Sequence, residues 1–133
     1  MKYLLDTNVA SDYLRGVTAV VKKIQQATPS ELAISSITVM ELCYGAARRH
    51  SATLSAAVDA FIAGITVVAF DAEAGERAGV VRAILEAKGI AIALADCQIA
   101  AIALRHGLSL VSNDTVFKRV PKLSVVDWRR GRT

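Results

Sequence analysis

Four carboxylates stand where an α/β chain places its working residues. Asp6 directly follows the apolar run Tyr3-Leu4-Leu5, and Asp114 closes the stretch Leu110-Val111-Ser112-Asn113-Asp114. Each reads as an acid just beyond a short buried strand, the edge at which parallel sheets bind ligands. Glu41 and Asp96 interrupt apolar helical faces instead. Glu41 lies four residues after Ile37 and three before Tyr44, and Asp96 lies three, four and seven before Ile99, Ala100 and Ala103. Those spacings put each acid on the same helical face as its apolar neighbours. An acid in such a place is costly unless something cationic compensates it.

Taken singly, each acid has an ordinary explanation. Asp6 or Asp96 reads as a helix cap, Asp114 as a turn residue and Glu41 as a partly exposed first-turn residue. Taken together they repel one another, and neither His nor Lys stands at any of the four positions. A hard divalent cation relieves that repulsion, and oxygen-only ligands favour Mg²⁺ or Mn²⁺. A cation held this way commonly serves phosphate-ester hydrolysis, lowering the pKa of a bound water and offsetting charge on the phosphoryl oxygens. A carboxylate then takes the proton of the attacking water. Which acid is that base, and whether one ion binds or two, stays open.

The elements that must position these acids alternate along the chain. Strands are expected at residues 3–5, 32–34, 65–70, 108–111 and 123–126. Helices are expected at residues 9–15, 17–27, 37–49, 52–63, 72–88 and 94–105. Ser35-Ser36 and Asp71 offer N-caps, and Gly16, Gly64, Gly89 and Gly107 end helices. Such alternation predicts a mostly parallel sheet of four to five short strands covered by helices. No repeat, low-complexity segment or linker interrupts it, so residues 1–133 read as a single domain.

The 133 residues are 53% hydrophobic and 21% charged, which excludes disorder, and they bury enough surface to need no disulfide. Cys43 and Cys97 belong to no CxxC pair and read as buried free thiols of a reducing compartment. Asp6 arrives before any apolar run of secretory length, and no uncharged run approaches the ~20 residues of a membrane span. A cytoplasmic protein is expected. The net charge of +4 is unevenly placed. Residues 118–133 carry six basic side chains against Asp127 alone, whereas residues 1–117 carry 10 basic and 11 acidic ones. Arg129, Arg130 and Arg132 are therefore the candidate contacts to a phosphate backbone. Aromatic residues are only 5%, which leaves few platforms for base stacking. Trp128 reads as packing. Asp12, Asp59, Glu73, Glu76 and Glu86 read as solvated helix residues.

At the four acids the chain resembles the PIN-domain nucleases, and among them the VapC-type toxins of toxin–antitoxin pairs. Leu4-Leu5-Asp6-Thr7-Asn8 looks like the family's first acid in its Asp-Thr-Asn setting. Ile37-Thr38-Val39-Met40-Glu41-Leu42, followed by Tyr44-Gly45, looks like the second. Asp96-Cys97-Gln98-Ile99-Ala100-Ala101 resembles the third, and Ser112-Asn113-Asp114 with Phe117 the fourth. Leu123 to Trp128 resembles the closing strand, so the likeness spans nearly the whole chain. Each motif is weak alone, and their order and spacing make the match specific. The approach to the third acid, Ile92-Ala93-Leu94-Ala95, lacks the Pro or Gly frequent in the family, and the family's fourth position is often Asn.

The resemblance implies a PIN-like α/β/α sandwich and an endoribonuclease dependent on Mg²⁺, with Mn²⁺ as substitute. It implies Asp6, Glu41, Asp96 and Asp114 as metal and catalytic residues. A VapB-type antitoxin that inserts a segment near the acids, and a toxin homodimer, are implied as well. Thr7, Ser112 and Asn113 are expected to hydrogen-bond a carboxylate or a metal-bound water. A phosphotransfer enzyme of the haloacid-dehalogenase type would want Asp where Asn8 stands, and a receiver-like switch would want an adjacent acidic pair. The remaining alternative is a PIN-like module that binds RNA or a partner without cleaving.

Overall fold

The structure, a computed structural model, describes residues 1–129. Tyr3–Leu5 (β1), Leu32–Ser35 (β2), Thr66–Val68 (β3), Ser109–Val111 (β4) and Val125–Val126 (β5) form one sheet. Its order is β3-β2-β1-β4-β5, and every neighbouring pair is parallel. The helices are Thr7–Leu14 (α1), Thr18–Gln26 (α2), Ser36–Arg49 (α3), Ala52–Ala63 (α4), Ala72–Ala87 (α5) and Leu94–His106 (α6). Short 3-10 turns occupy Pro29–Glu31 and Thr115–Arg119.

The period-2 alternation of the strands sorts their side chains into two cores. Leu4, Ala33 and Leu110 face one layer, where they meet Ala78, Val81 and Leu85 of α5, Ile99 and Ala103 of α6, and Phe117. Leu5, Ile34 and Val111 face the other, where they meet Val9 of α1, Val20 of α2 and Trp128. The sheet is thus buried on both faces, the α/β/α sandwich expected. Each fully buried Leu or Ile contributes about 1.5–3 kcal/mol. A third cluster joins Ala10 of α1, Leu42 and Ala46 of α3 and Val58 of α4. Trp128 packs as expected, edge-on to Tyr3 with ring centroids 5.1 Å apart.

Several boundaries differ from the sequence reading. The first helix starts at Thr7 rather than residue 9. The apolar run 65–70 yields only the three residues of β3, because the ladder with β2 spans Ala33↔Thr66 to Ser35↔Val68. Beyond it the Phe70 N–H donates to Ser36 Oγ at 3.0 Å. The last strand shortens to the two residues that pair with Leu110 and Val111. Cys97 is buried, but Cys43 is exposed, on the outward face of α3. Gly107, with φ 64°, closes α6 in the left-handed region that any side chain would strain.

Candidate active site

The register of the sheet brings the ends of β1 and β4 together. Leu5 pairs with Val111 on one side and with Ile34 on the other. Strand order reverses between β1 and β4, since the chain runs from β1 to β2 on one flank and returns to β4 on the other. The residues that leave the sheet at such a switch point flank an open crevice. They are Asp6 and Ser112.

Asp6 is only 3% exposed. Its Oδ1 accepts the Thr7 N–H at 2.8 Å, and its Oδ2 accepts the Ser112 hydroxyl at 2.8 Å. Ser112 Oγ in turn accepts the Asp114 N–H at 3.0 Å. Burial pushes the Asp6 pKa up to about 6, and the charges of Asp96 and Asp114 add to that push; Ser112 and the Thr7 N–H oppose it. Asp114 caps the following 3-10 turn, its Oδ1 accepting the Val116 N–H at 3.0 Å.

Glu41 reaches the same crevice from α3, where the N-cap Ser35 fixes the helix start by accepting the Thr38 N–H at 3.0 Å. Its Oε1 accepts the Thr7 hydroxyl at 2.6 Å. Asp96 lies in the first turn of α6, whose N-cap is Ala93 and not Asp96. Its pKa is raised by partial burial and then by the charges of Asp114 and Glu41. Among the described residues its carboxylate has no hydrogen bond or ion pair.

The four acids thus share one rim, where the charges of Asp96 and Asp114 add to the rise at Asp6 and those of Asp114 and Glu41 to the rise at Asp96. Among the described residues no Lys, Arg or His forms an ion pair with any of them. Nor, among the described residues, do any three His, Cys, Asp or Glu side chains gather closely enough to hold a metal ion as they stand. Asp6, Glu41 and Asp114 are turned instead onto hydroxyl or backbone partners. The donor set is all oxygen and short of positive charge, which suits a hard divalent cation in type. Of the three neighbouring polar residues, Thr7 and Ser112 touch the acids, while the exposed Asn113 side chain makes no hydrogen bond to them.

Two features were not apparent in the sequence. Beside Glu41 opens a cleft of about 160 Å³ lined by Arg15, Arg48 and Arg49. Positive charge therefore lies beside Glu41 on the body of the fold without pairing with it, and the Arg48-Arg49 pair at the end of α3 was its signal. Asp12 is not solvated. It is 2% exposed, clamped between Arg15 on its own helix and Arg129, whose Nε lies 3.0 Å from Asp12 Oδ2. Arg129, expected at a phosphate backbone, is thereby held on α1. Arg130 and Arg132 lie outside the described residues. A larger cleft of about 380 Å³, lined by Tyr13, Ile24, Phe61 and Ile65 among others, is mainly apolar.

Comparison with known proteins agrees with this architecture. The family model of the PIN domain matches residues 3–123. The tRNA(fMet)-specific endonuclease VapC of Shigella flexneri is 35% identical over 130 residues, covering 96% of this chain and 98% of its own. Ribonuclease VapC2 of Haemophilus influenzae is 33% identical over 131 residues, with the same coverage. Among solved structures, the DNA-bound VapBC of Salmonella typhimurium superposes with a TM-score of 0.87 at 33% identity, over 96% of this chain and 98% of that one. VapBC2 of Rickettsia felis, bound to a promoter DNA fragment, gives 0.84 at 29% identity over 96% and 99%.

Proposed function

This chain belongs to the PIN-domain family, and we propose that it is the endoribonuclease toxin of a VapBC-type pair. In this reading residues 1–133 are a single domain that hydrolyses RNA phosphodiester bonds in the cytoplasm. It forms a homodimer and is silenced by a VapB-type antitoxin. Among the described residues no helix is long and apolar enough to cross a membrane.

The observation that carries the reading is the placement of Asp6, Glu41, Asp96 and Asp114 about the β1–β4 crevice, where none of them forms an ion pair with a cationic side chain among the described residues. These four residues would hold Mg²⁺, or Mn²⁺ in its place. When bound, the ion supplies positive charge against the phosphodiester and acidity to the attacking water. The chain's own side chains do the rest. Ser112 and the Thr7 N–H hold the two oxygens of Asp6 in place. Thr7 holds Glu41. Asp96 retains lone pairs with which to orient a water toward phosphorus. Arg48 and Arg49 meet the RNA backbone beside Glu41, with Arg130 and Arg132 as further contacts.

The open spacing of the acids favours one rival, a PIN-like module that binds RNA or a partner without cutting. Induction of the gene in a bacterial host, with and without its upstream neighbour, decides between them when RNA ends are mapped. Growth arrest with discrete cuts, relieved by the neighbour and lost in Asp96→Asn, is the result expected. Two of the similar proteins are named for tRNA(fMet), so that tRNA is the first substrate to inspect. Arrest without cleavage would leave the binding module.

A further inference from the structure

Ser35, Thr38 and Thr7 form an unbroken line of hydroxyls that ends on Glu41. Thr7 Oγ1 lies 2.6 Å from Glu41 Oε1, Thr38 Oγ1 lies 2.8 Å from Thr7 Oγ1, and Ser35 Oγ lies 3.2 Å from Thr38 Oγ1. The direction of each proton follows from counting donors. A hydroxyl has one proton to donate, and an ionised carboxylate has none. Thr7 therefore donates to Glu41, which leaves Thr38 as the donor to Thr7 and Ser35 as the donor to Thr38. Ser35 Oγ accepts the Thr38 N–H at 3.0 Å, so the line begins on the backbone of α3. Each of the three hydroxyls donates once and accepts at least once.

We propose that Ser35 and Thr38 are positioning residues for Glu41, acting through Thr7. The inference rests on the nuclease reading of the acidic rim. Capping α3 requires only the Ser35 oxygen and the Thr38 N–H, so the Thr38 hydroxyl is not needed for the helix. Ser35 and Thr38 are both 0% exposed, where a hydroxyl costs free energy unless it is satisfied and Val would fill the same space. What Thr offers at this position is a donor aimed at Thr7. That donor keeps the Thr7 proton turned to Glu41, and a chain of aligned hydroxyls strengthens each bond in it. Glu41 is then held on the crevice rather than sampling the several rotamers of a half-exposed glutamate.

Thr38→Val and Thr38→Ser separate this role from packing. In Thr38→Val the kcat for RNA cleavage is expected to fall about tenfold with KM unchanged. Mn²⁺ affinity, measured by calorimetry without RNA, is expected to weaken by a similar factor. Thr38→Ser restores both. In the metal-free proteins, side-chain carbon NMR of Glu41 is expected to show one rotamer for the wild type and several for Thr38→Val. A Thr38→Val protein with unchanged kcat, Mn²⁺ affinity and Glu41 rotamer overturns the proposal, as does a Thr38→Ser protein equally impaired. Should Thr38→Val fail to fold, Ser35→Ala removes the first donor and is read by the same NMR signal, an unmoved Glu41 counting against the relay. Wild-type protein that cuts no RNA would refute the nuclease reading instead, leaving the Glu41 rotamers to decide the positioning role.

Discussion

Replacing Asp6 by Asn probes the electrostatics of the site at its most buried acid. In the metal-free chain, burial above all carries the Asp6 pKa from 3.8 to about 6. Between those values the unfolded chain releases a proton that the folded chain keeps, so a rise in pH through that window favours unfolding. A shift of about two units corresponds to roughly 3 kcal/mol of stability lost by pH 7. Asn has nearly the same shape, and its Oδ1 can still accept the Thr7 N–H. Its Nδ2 would face Ser112 Oγ as a donor, so Ser112 must turn its proton away, which offsets part of the gain. Metal-free Asp6→Asn is therefore expected to be about 1–3 kcal/mol more stable than wild type at pH 7, roughly 3–12 °C in Tm. Near pH 4 that advantage should vanish, and cleavage activity should be lost at every pH. Unfolding followed by circular dichroism between pH 4 and 8, in chelator, measures the difference between the two proteins. Added Mg²⁺ should stabilise only the wild type. A difference that does not grow between pH 4 and 7, or a variant less stable than wild type at neutral pH, would refute the reasoning.

Ser112→Ala removes a donor from Asp6 and is expected to lower cleavage by ten- to a hundredfold while leaving the circular dichroism spectrum unchanged. Asp12→Ala should destabilise by about 1–3 kcal/mol in urea titrations, the cost limited because Arg15 and Arg129 are both partly exposed and regain water. Replacing Arg130 and Arg132 together should reduce the salt slope of RNA binding by about 1.4, whereas Arg129→Ala should register mainly as lost stability. Phe117→Ala empties a site that is 0% exposed and should cost about 3–5 kcal/mol of folding stability.

The element order was legible because each strand is a short apolar run cut off by a cap or turn residue, and each helix has a marked end. Asp6 and Asp114 could be placed at strand ends from local sequence alone. Strand order was not legible, since β1 touches β4 across more than a hundred residues and nothing local records that pairing. The same distance hid the Asp12–Arg129 pair: an acid on a short helix looks solvated until the far end of the chain lies against it. The role of Thr38 was not legible, because a Thr three residues after a capping Ser looks like part of the cap. Its second partner, Thr7, lies 31 residues away. Cys43, expected buried, is exposed for a simpler reason. Helical periodicity gives faces, but only packing tells which face a small apolar residue occupies.

The hydrogen bond from Ser112 to Asp6 spans 106 residues, and β1 is flanked by β2 on one side and β4 on the other. A ribosome making this chain delivers Asp6 more than a hundred residues before Ser112. Until β4 has left the exit tunnel, the central strand lacks one neighbour and Asp6 lacks its hydroxyl. Long-range parallel pairing of this kind also forms slowly. Synthesis itself thus imposes a delay: the acidic crevice stays incomplete from the emergence of Asp6 until β4 and Ser112 follow it.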